Sequence, residues 1–533
     1  MKRWNGWGNT EKTYPLAESA RRYLSGIVGD GQIIADTGLE DVLRNVPASR
    51  LPHHSLTNES AEERLTHSRG QSLPDWVALR HGRIPVFTDG VAYPEDREQV
   101  TDLFQMAERH HFVVIPYGGG SSVLGHINPV GGHPVLTMDL GRMNRMSDID
   151  KVSRTAKIEA GASGPQIEAE LNRQGYTLGH FPQSFEYSTL GGWVATRSVG
   201  QQSYRYGRID EMLLGCEMQT PRGPFDLPAI PASAAGPDLR QIVLGSEGRL
   251  GVITSATVRV HRLPEVEHFY SVFFPDWNSG ADAAREIVQN HVDVSMLRLA
   301  DSDETTTTLQ LSGKEKLVDL ANKGLNLVGI GSQRCLLIYG VTGRTESCRL
   351  AYRQVQSIIH KHKGFPVNFF IGHTWQKSRF LTPYLRNTLW EAGYALDTLE
   401  TCLSWSKVLE CMREIKATIA GSLQNEEEKI LVFAHLSHLY EEGASCYVTY
   451  LWRRSPDPDE TLQSWTNIKT GASQVIVKHG GTISHQHGVG IDHAPYLAAE
   501  KGKLGMELIQ SICSSLDPDG IMNPGKLVKL PKN

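Results

Sequence analysis

Three stretches rich in glycine and hydroxyl residues, all in the first half of the chain, constrain this sequence more than any other feature. The first is PYGGGSSVLG, from Pro116 to Gly125. The second, FPQSFEYSTLGGWVATRSVG, begins at Phe181, and the third is GSEGRLGVIT, from Gly245 to Thr254. Glycine lets the main chain approach a ligand closely and adopt conformations closed to other residues. Successive backbone N–H groups beside the hydroxyls of Ser121 and Ser122 make a concavity suited to an anion. The first loop follows HFVVIPY, a short β-branched run read as a buried strand. One such loop is an ordinary turn, but three in this order suggest one large ligand threaded between two subdomains.

A nicotinamide Rossmann site is the first alternative to test, because Asp139 lies at roughly the distance downstream expected of a ribose-binding acid. That fingerprint opens a helix. Here SSVLGHINPVGGHPV holds Pro129 and several glycines and cannot form one. The Rossmann reading fails on context.

At 533 residues the chain exceeds one ordinary core, so two or three domains are expected. A net charge of −5 gives no general attraction to nucleic acid. No run approaches the roughly 18 apolar residues of a spanning helix. The first residues lack the apolar core of a secretory signal, and LVKLPKN carries no peroxisomal tripeptide. Seven cysteines without a C-x-x-C pair argue against zinc ribbons and disulfide frameworks, so a cytoplasmic setting is expected.

The texture divides the chain into four. Residues 1–80 read as irregular with one helix at LAESARRYLSGIVG. Residues 81–264 alternate strands, the glycine loops and the helices around Val100, Leu103, Phe104 and Ala107 and in GPQIEAELNRQG. Residues 265–470 read as an α+β cap, with strands such as HFYSVFFPD and RCLLIYGVTG and helices such as SGADAAREIVQNH. Residues 471–533 bring a strand at SQVIVKHGG, a histidine turn and a helix back toward the ligand.

The motifs PYGGGSS, SFEYSTLGGWVATRS, YGRIDEM, GSEGRLGVIT, MLRLAD, SHLYEEGASCY, SHQHGVG and DPDGIMNPGKL together resemble the flavoproteins of the vanillyl-alcohol oxidase type. Within that group the chain resembles the alkyldihydroxyacetonephosphate synthase family over nearly its whole length. The resemblance implies an α+β, two-subdomain FAD-binding fold of the PCMH type with an α+β cap. It implies FAD held noncovalently by Pro116, Tyr117, Gly118, Gly119, Gly120, Ser121 and Ser122 of the first loop. The second loop would contribute Gln183, Ser184, Phe185, Glu186, Tyr187, Ser188 and Thr189, then Thr196, Arg197, Ser198 and Val199. The third would contribute Glu247, Gly248, Arg249, Leu250, Gly251, Val252 and Ile253. His126 is the nearby candidate for a covalent tether and is read as a loop residue.

The family reaction exchanges the acyl chain of an acyl-dihydroxyacetonephosphate for a fatty alcohol through a flavin N5 adduct, in ether lipid synthesis. It needs a base beside the ketone, a cation for the phosphate and an acid for the departing carboxylate. The resemblance places Tyr447 at the proton-transfer position, with Tyr440 as fallback, and Arg386 and Arg298 at the family's arginines. A tyrosine needs a neighbouring cation or imidazole before it can act as a base.

His485 and His487, two apart, would share one face of an extended segment. Where the family has three successive histidines, this chain has Gln486 in the middle, which cannot relay a proton. A metal site using His485, His487, His493 and Asp492 and plain turn histidines are the alternatives. Proton transfer is preferred because flavin loops precede it, and no metal is expected. The rival function is an FAD-dependent oxidase or dehydrogenase of a 2-hydroxy acid or related alcohol, and a non-enzymatic flavin scaffold is the third. A phosphorylated small or lipid-like substrate, no nucleic acid and a homodimer are expected, and the lack of a spanning segment is compatible with peripheral membrane contact.

Overall fold

The run REQVTDLFQMAERH folds as the helix Arg97–His110 because Asp96 caps it, accepting from the Gln99 amide at 2.9 Å, and because Val100, Leu103, Phe104 and Ala107 line one buried face. In the computed structural model, which describes residues 2–313, 315–423 and 428–528, this helix joins two strands of the first sheet. That sheet runs β1 (Thr57–Asn58), β2 (Gly90–Ala92), β4 (Val135–Asp139), β3 (Val113–Tyr117), with β2, β4 and β3 parallel. Strand β3 ends at Tyr117 and releases the chain directly into the first glycine loop.

The next strands are β5 (Thr155–Glu159), β6 (Tyr176–Thr177), β7 (Leu213–Thr220), β8 (Gly223–Leu227), β9 (Val252–Arg259) and β10 (His261–Arg262). They form an antiparallel sheet in the order β5-β9-β7-β8 and a short β10-β6 ribbon. One apolar cluster joins this sheet to the first, from Val100 and Met138 to Ile158, Met218 and Val258.

The remaining strands are β11 (Val266–Phe274), β12 (Met296–Ala300), β13 (Cys335–Gly343), β14 (Phe365–Pro366), β15 (Tyr394–Ser404), β16 (Leu431–Leu439) and β17 (Gly443–Arg453). They build one seven-stranded antiparallel sheet in the order β14-β11-β13-β12-β16-β17-β15. Side chains alternate across a strand, so each strand serves two surfaces. Leu297, Leu299, Ala434, Leu436, Cys446, Val448 and Tyr450 meet the helices Trp277–Gln289, Thr345–Lys361, Trp405–Ala420 and Pro458–His479 in the largest core. The alternate set, Met296, Arg298, Phe433, His435, Tyr447 and Thr449, lines a cavity instead. This alternation turns one sheet into a cavity wall.

Two expectations need correction. SQVIVKHGG is not a strand: it ends the 22-residue helix Pro458–His479, capped by Asp457 and closed by Gly480 at φ 71°. Its β-branched residues are helical because Ile468, Ala472, Val475 and Ile476 fall on one face against the core. The first 80 residues also hold more than one helix. Glu18–Val28 is joined by Leu39–Arg44, Ala61–Thr66 and Leu73–Arg80, the last opened by a Ser72/Asp75 capping box.

The chain's end laces the loops together. Val114 and Met522 form a parallel bridge, Arg249 donates to the Met522 carbonyl, and the Asn523 amide donates to the carbonyls of His126 (3.0 Å) and Glu247 (2.7 Å). Residues 529–533 of the expected C-terminal segment lie outside the described residues. No described helix is long and apolar enough to cross a membrane.

Candidate active site

The three glycine loops and the cavity face of the large sheet enclose one space of about 1370 Å³. That exceeds the roughly 300–1,000 Å³ of an ordinary small-ligand pocket. Pro116 to Ser122, Gln183, Ser184, Ser188, Thr189, Thr196, Ser198, Val199, Glu247, Gly248, Gly251 and Ile253 all line it. The close approach of the first two loops requires glycine. A Cβ at Gly119 would sit 1.7 Å from the Tyr187 carbonyl oxygen, and one at Gly118 would sit 2.3 Å from Thr189 Oγ1. Gly120, at φ 69°, then turns the chain. A long cleft walled by small residues and loop amides fits a flavin dinucleotide.

Seven residues expected at the cofactor do not line the cavity. Phe185 stacks on Phe380 at 5.0 Å, Glu186 pairs with Lys12, and the Tyr187 hydroxyl meets that of Tyr384 at 3.0 Å. Arg197 reaches away to Asp210 at 3.2 Å, and Arg249 anchors the chain's end. Leu250 and Val252 are core residues. Along a strand successive side chains point to opposite faces, so Val252 turns into the core while its neighbours Gly251 and Ile253 line the cavity.

The polar centre draws on four neighbouring strands, β12, β16, β17 and β15. Tyr447 on β17 is paired directly with His435 on β16, and their rings stack at 5.1 Å. The Tyr447 hydroxyl donates to Thr398 Oγ1 at 3.0 Å, and burial raises its phenol well above the usual range. His487 presents its edge to the same ring at 5.7 Å. Arg386 lies over Trp76, 4.4 Å from the ring, and donates through Nη1 to the Gln71 carbonyl at 2.5 Å. Its Nε and Nη2 are buried without partners among the described residues, so two nitrogens of a cavity-lining guanidinium stay free for an anion. Arg298 is differently placed. It faces the cavity but is paired with Glu304, which also accepts from His435 Nδ1 at 2.9 Å. Burial opposes the Glu304 charge, yet Arg298 and His435 outweigh it and hold this carboxyl well below its usual range.

The histidine turn departs from the extended reading. Its amides curl around the carboxylate of Glu400: His485, Gln486 and His487 donate to one oxygen at 3.1, 2.7 and 2.8 Å. That curl separates the rings. His487 and Gln486 line the cavity, whereas His485 turns behind it and hydrogen-bonds the Tyr440 hydroxyl at 2.6 Å. His485 therefore stands outside the cavity wall. His126 does line it, held by Ser122 Oγ at 2.7 Å. Among the described residues, no group of three or more His, Cys, Asp or Glu is placed to hold a metal ion.

Glu400, Glu304, His435 and His438 belong to the site and escaped the sequence reading. His435 and Ser437 alternate onto the cavity face, and a bulge between Ser437 and Leu439 adds His438, at φ 50°. The alternation in AHLSHLY was the available signal for His435. Glu400, far from the turn it organises, left none.

Two family models match the chain: the FAD binding domain over residues 88–225 and the C-terminal domain of FAD linked oxidases over residues 263–527. The sequence is 32% identical to alkyldihydroxyacetonephosphate synthase of Dictyostelium discoideum, over 98% of this chain and 85% of that one. It is 31% identical to the synthase of Trypanosoma brucei brucei, over 99% and 92%. A solved structure of alkyldihydroxyacetonephosphate synthase aligns over 98% of both chains with a TM-score of 0.83 at 27% identity. That of p-cresol methylhydroxylase with substrate bound, over 94% of this chain and 100% of that one, has a TM-score of 0.69 at 14% identity and shares the fold alone.

Proposed function

The chain belongs to the alkyldihydroxyacetonephosphate synthase family of FAD-dependent enzymes, and from that membership we propose that it exchanges the acyl chain of an acyl-dihydroxyacetonephosphate for a fatty alcohol without net redox change. One observation carries this reading beyond the family name. The cavity that holds the glycine loops also extends along two apolar walls. Leu24, Leu311, Leu389, Leu431, Phe433 and Leu451 form one, and Met296, Leu309, Leu325, Leu336, Ile338 and Trp375 the other. A 2-hydroxy acid has no use for so much apolar surface, whereas each buried CH₂ of a fatty chain gains about 0.8 kcal/mol.

FAD, when bound, supplies an electrophilic ring that draws electrons from the substrate carbon. The chain does the rest. Arg386 offers its free Nε and Nη2 to the phosphate, held in place by Trp76 and Gln71. Tyr447 moves the proton beside the ketone; burial raises its phenol, and the Arg386 charge pulls it back toward the ionised form. His487 stands against the Tyr447 ring as its nearest imidazole from the turn, while Glu400 fixes that turn. The apolar walls bury the fatty chain and keep water from the reacting carbon.

Incubation of the yellow holoenzyme with acyl-dihydroxyacetonephosphate and a labelled fatty alcohol tests the proposal. Label should enter the phosphorylated product with the flavin oxidised at the end. Anaerobic bleaching by 2-hydroxy acids without alcohol exchange would select the oxidoreductase reading instead.

A further inference from the structure

The two arginines of the site are not equivalent. Arg386 leaves donors free, whereas Arg298 is committed to Glu304. That commitment frames a third side chain, His435. Glu304 is 4% exposed, and a carboxylate ionised there can only accept hydrogen bonds. The 2.9 Å contact therefore assigns the proton of His435 to Nδ1. Arg298 Nη2 lies within hydrogen-bond distance of the same nitrogen, at 3.2 Å, but with the proton on Nδ1 that nitrogen has no lone pair to accept it. Nε2 is left as a lone-pair nitrogen with no partner among the described residues, on a ring that lines the cavity. Strand register sets the ring against Tyr447, so two proton-handling groups face one space from adjacent strands. A carboxylate holding an imidazole in one tautomer, with the other nitrogen free, is the arrangement of a general base.

We propose that His435 is the base that takes the hydroxyl proton of the incoming fatty alcohol, with Glu304 as its positioning residue. This rests on the exchange reading above and divides its proton transfers. Tyr447 works at the substrate carbon, and His435 works on the alcohol. The alcohol O–H bond breaks with its proton passing to Nε2, and the alcohol oxygen forms the new bond to the substrate carbon. The bond from that carbon to the acyl oxygen breaks, its electron pair leaving on the fatty carboxylate. The proton on His435 then passes to solvent, so one alcohol and one ester give one ether, one carboxylate and one proton. Nothing is oxidised.

The test uses holoenzyme variants His435→Gln and Glu304→Gln, each checked for a wild-type flavin spectrum. An ordinary long-chain alcohol is compared with an analogue fluorinated at carbon 2, whose hydroxyl is far more acidic and needs less help from a base. His435→Gln should incorporate the ordinary alcohol about 100-fold more slowly or worse, the scale of a lost general base. The fluorinated alcohol should recover at least ten-fold of that loss. Wild-type rates, or equal losses with both alcohols, overturn the assignment. The charged groups around His435 are Glu304 and Arg298, with Tyr447 and His438 alongside. Removing the one negative charge that favours imidazolium should move the acid limb of the Glu304→Gln rate profile to lower pH. An unmoved limb overturns the pairing. A wild-type enzyme that exchanges no alcohol at all sinks the exchange reading itself.

Discussion

At the scale of single residues, the site depends on which polar atoms are satisfied and which are left free. Tyr447→Phe removes a hydroxyl bonded to Thr398 and leaves the ring stacked on His435. Turnover should fall about 100-fold or more with flavin binding intact, and an unchanged rate in the exchange assay would move proton transfer elsewhere. Arg386→Ala should instead raise KM for the phosphorylated substrate by about ten-fold or more, some 1.4 kcal/mol of lost binding. His180 carries a pH prediction. Burial holds its imidazole down to about 3, against an unfolded value near 6.5. Below about pH 6.5 the unfolded chain binds a proton that the native ring refuses. The stability present above that pH is therefore lost as pH falls toward 3, by about 1.4 kcal/mol per unit. His180→Gln should flatten the dependence of Tm on pH over that window, and an unaltered slope would contradict the assignment. Sequence alone treated His485 and His487 as equals, because nothing local reveals that Glu400 gathers their amides and turns one ring away.

At the scale of elements, the glycine loops were legible because their requirement is local. Gly119 faces the Tyr187 carbonyl so closely that any Cβ must push the loops apart. Gly119→Ala should weaken FAD binding by ten-fold or more in a fluorescence titration. Gly26→Ala, in a helix with nothing within 4 Å, should be neutral or stabilise by up to about 1 kcal/mol. Equal FAD affinity in both variants would refute the close-approach role. The misread helix Pro458–His479 teaches the converse. Its last turns are β-branched and read as strand, but packing of Ile468, Ala472, Val475 and Ile476 against the core outweighs that weak preference. On β16, alternation made His435 legible in principle, while the bulge that adds His438 was not.

At the scale of the whole molecule, the cavity is walled by all three larger sheets or the loops leaving them, so a ligand there joins regions distant in sequence. FAD at 100 times its Kd should stabilise the fold by about 2.7 kcal/mol and move one cooperative melting transition. Two transitions with only one moving would mean that the cap folds apart from the flavin lobe. The sequence by itself determined the local grammar: three glycine loops, the helix faces, the alternating strands and the residue types that resemble a flavin enzyme. These depend on neighbours a few positions apart. Only the tertiary structure decided that Arg298 is neutralised by Glu304 while Arg386 is free, that His435 rather than His485 faces the cavity, and that Glu400 holds the histidine turn. Apart from the short step from Arg298 to Glu304, those facts arise from strand register and packing between residues tens to more than a hundred positions apart. No local preference encodes which of two like side chains will find its partner.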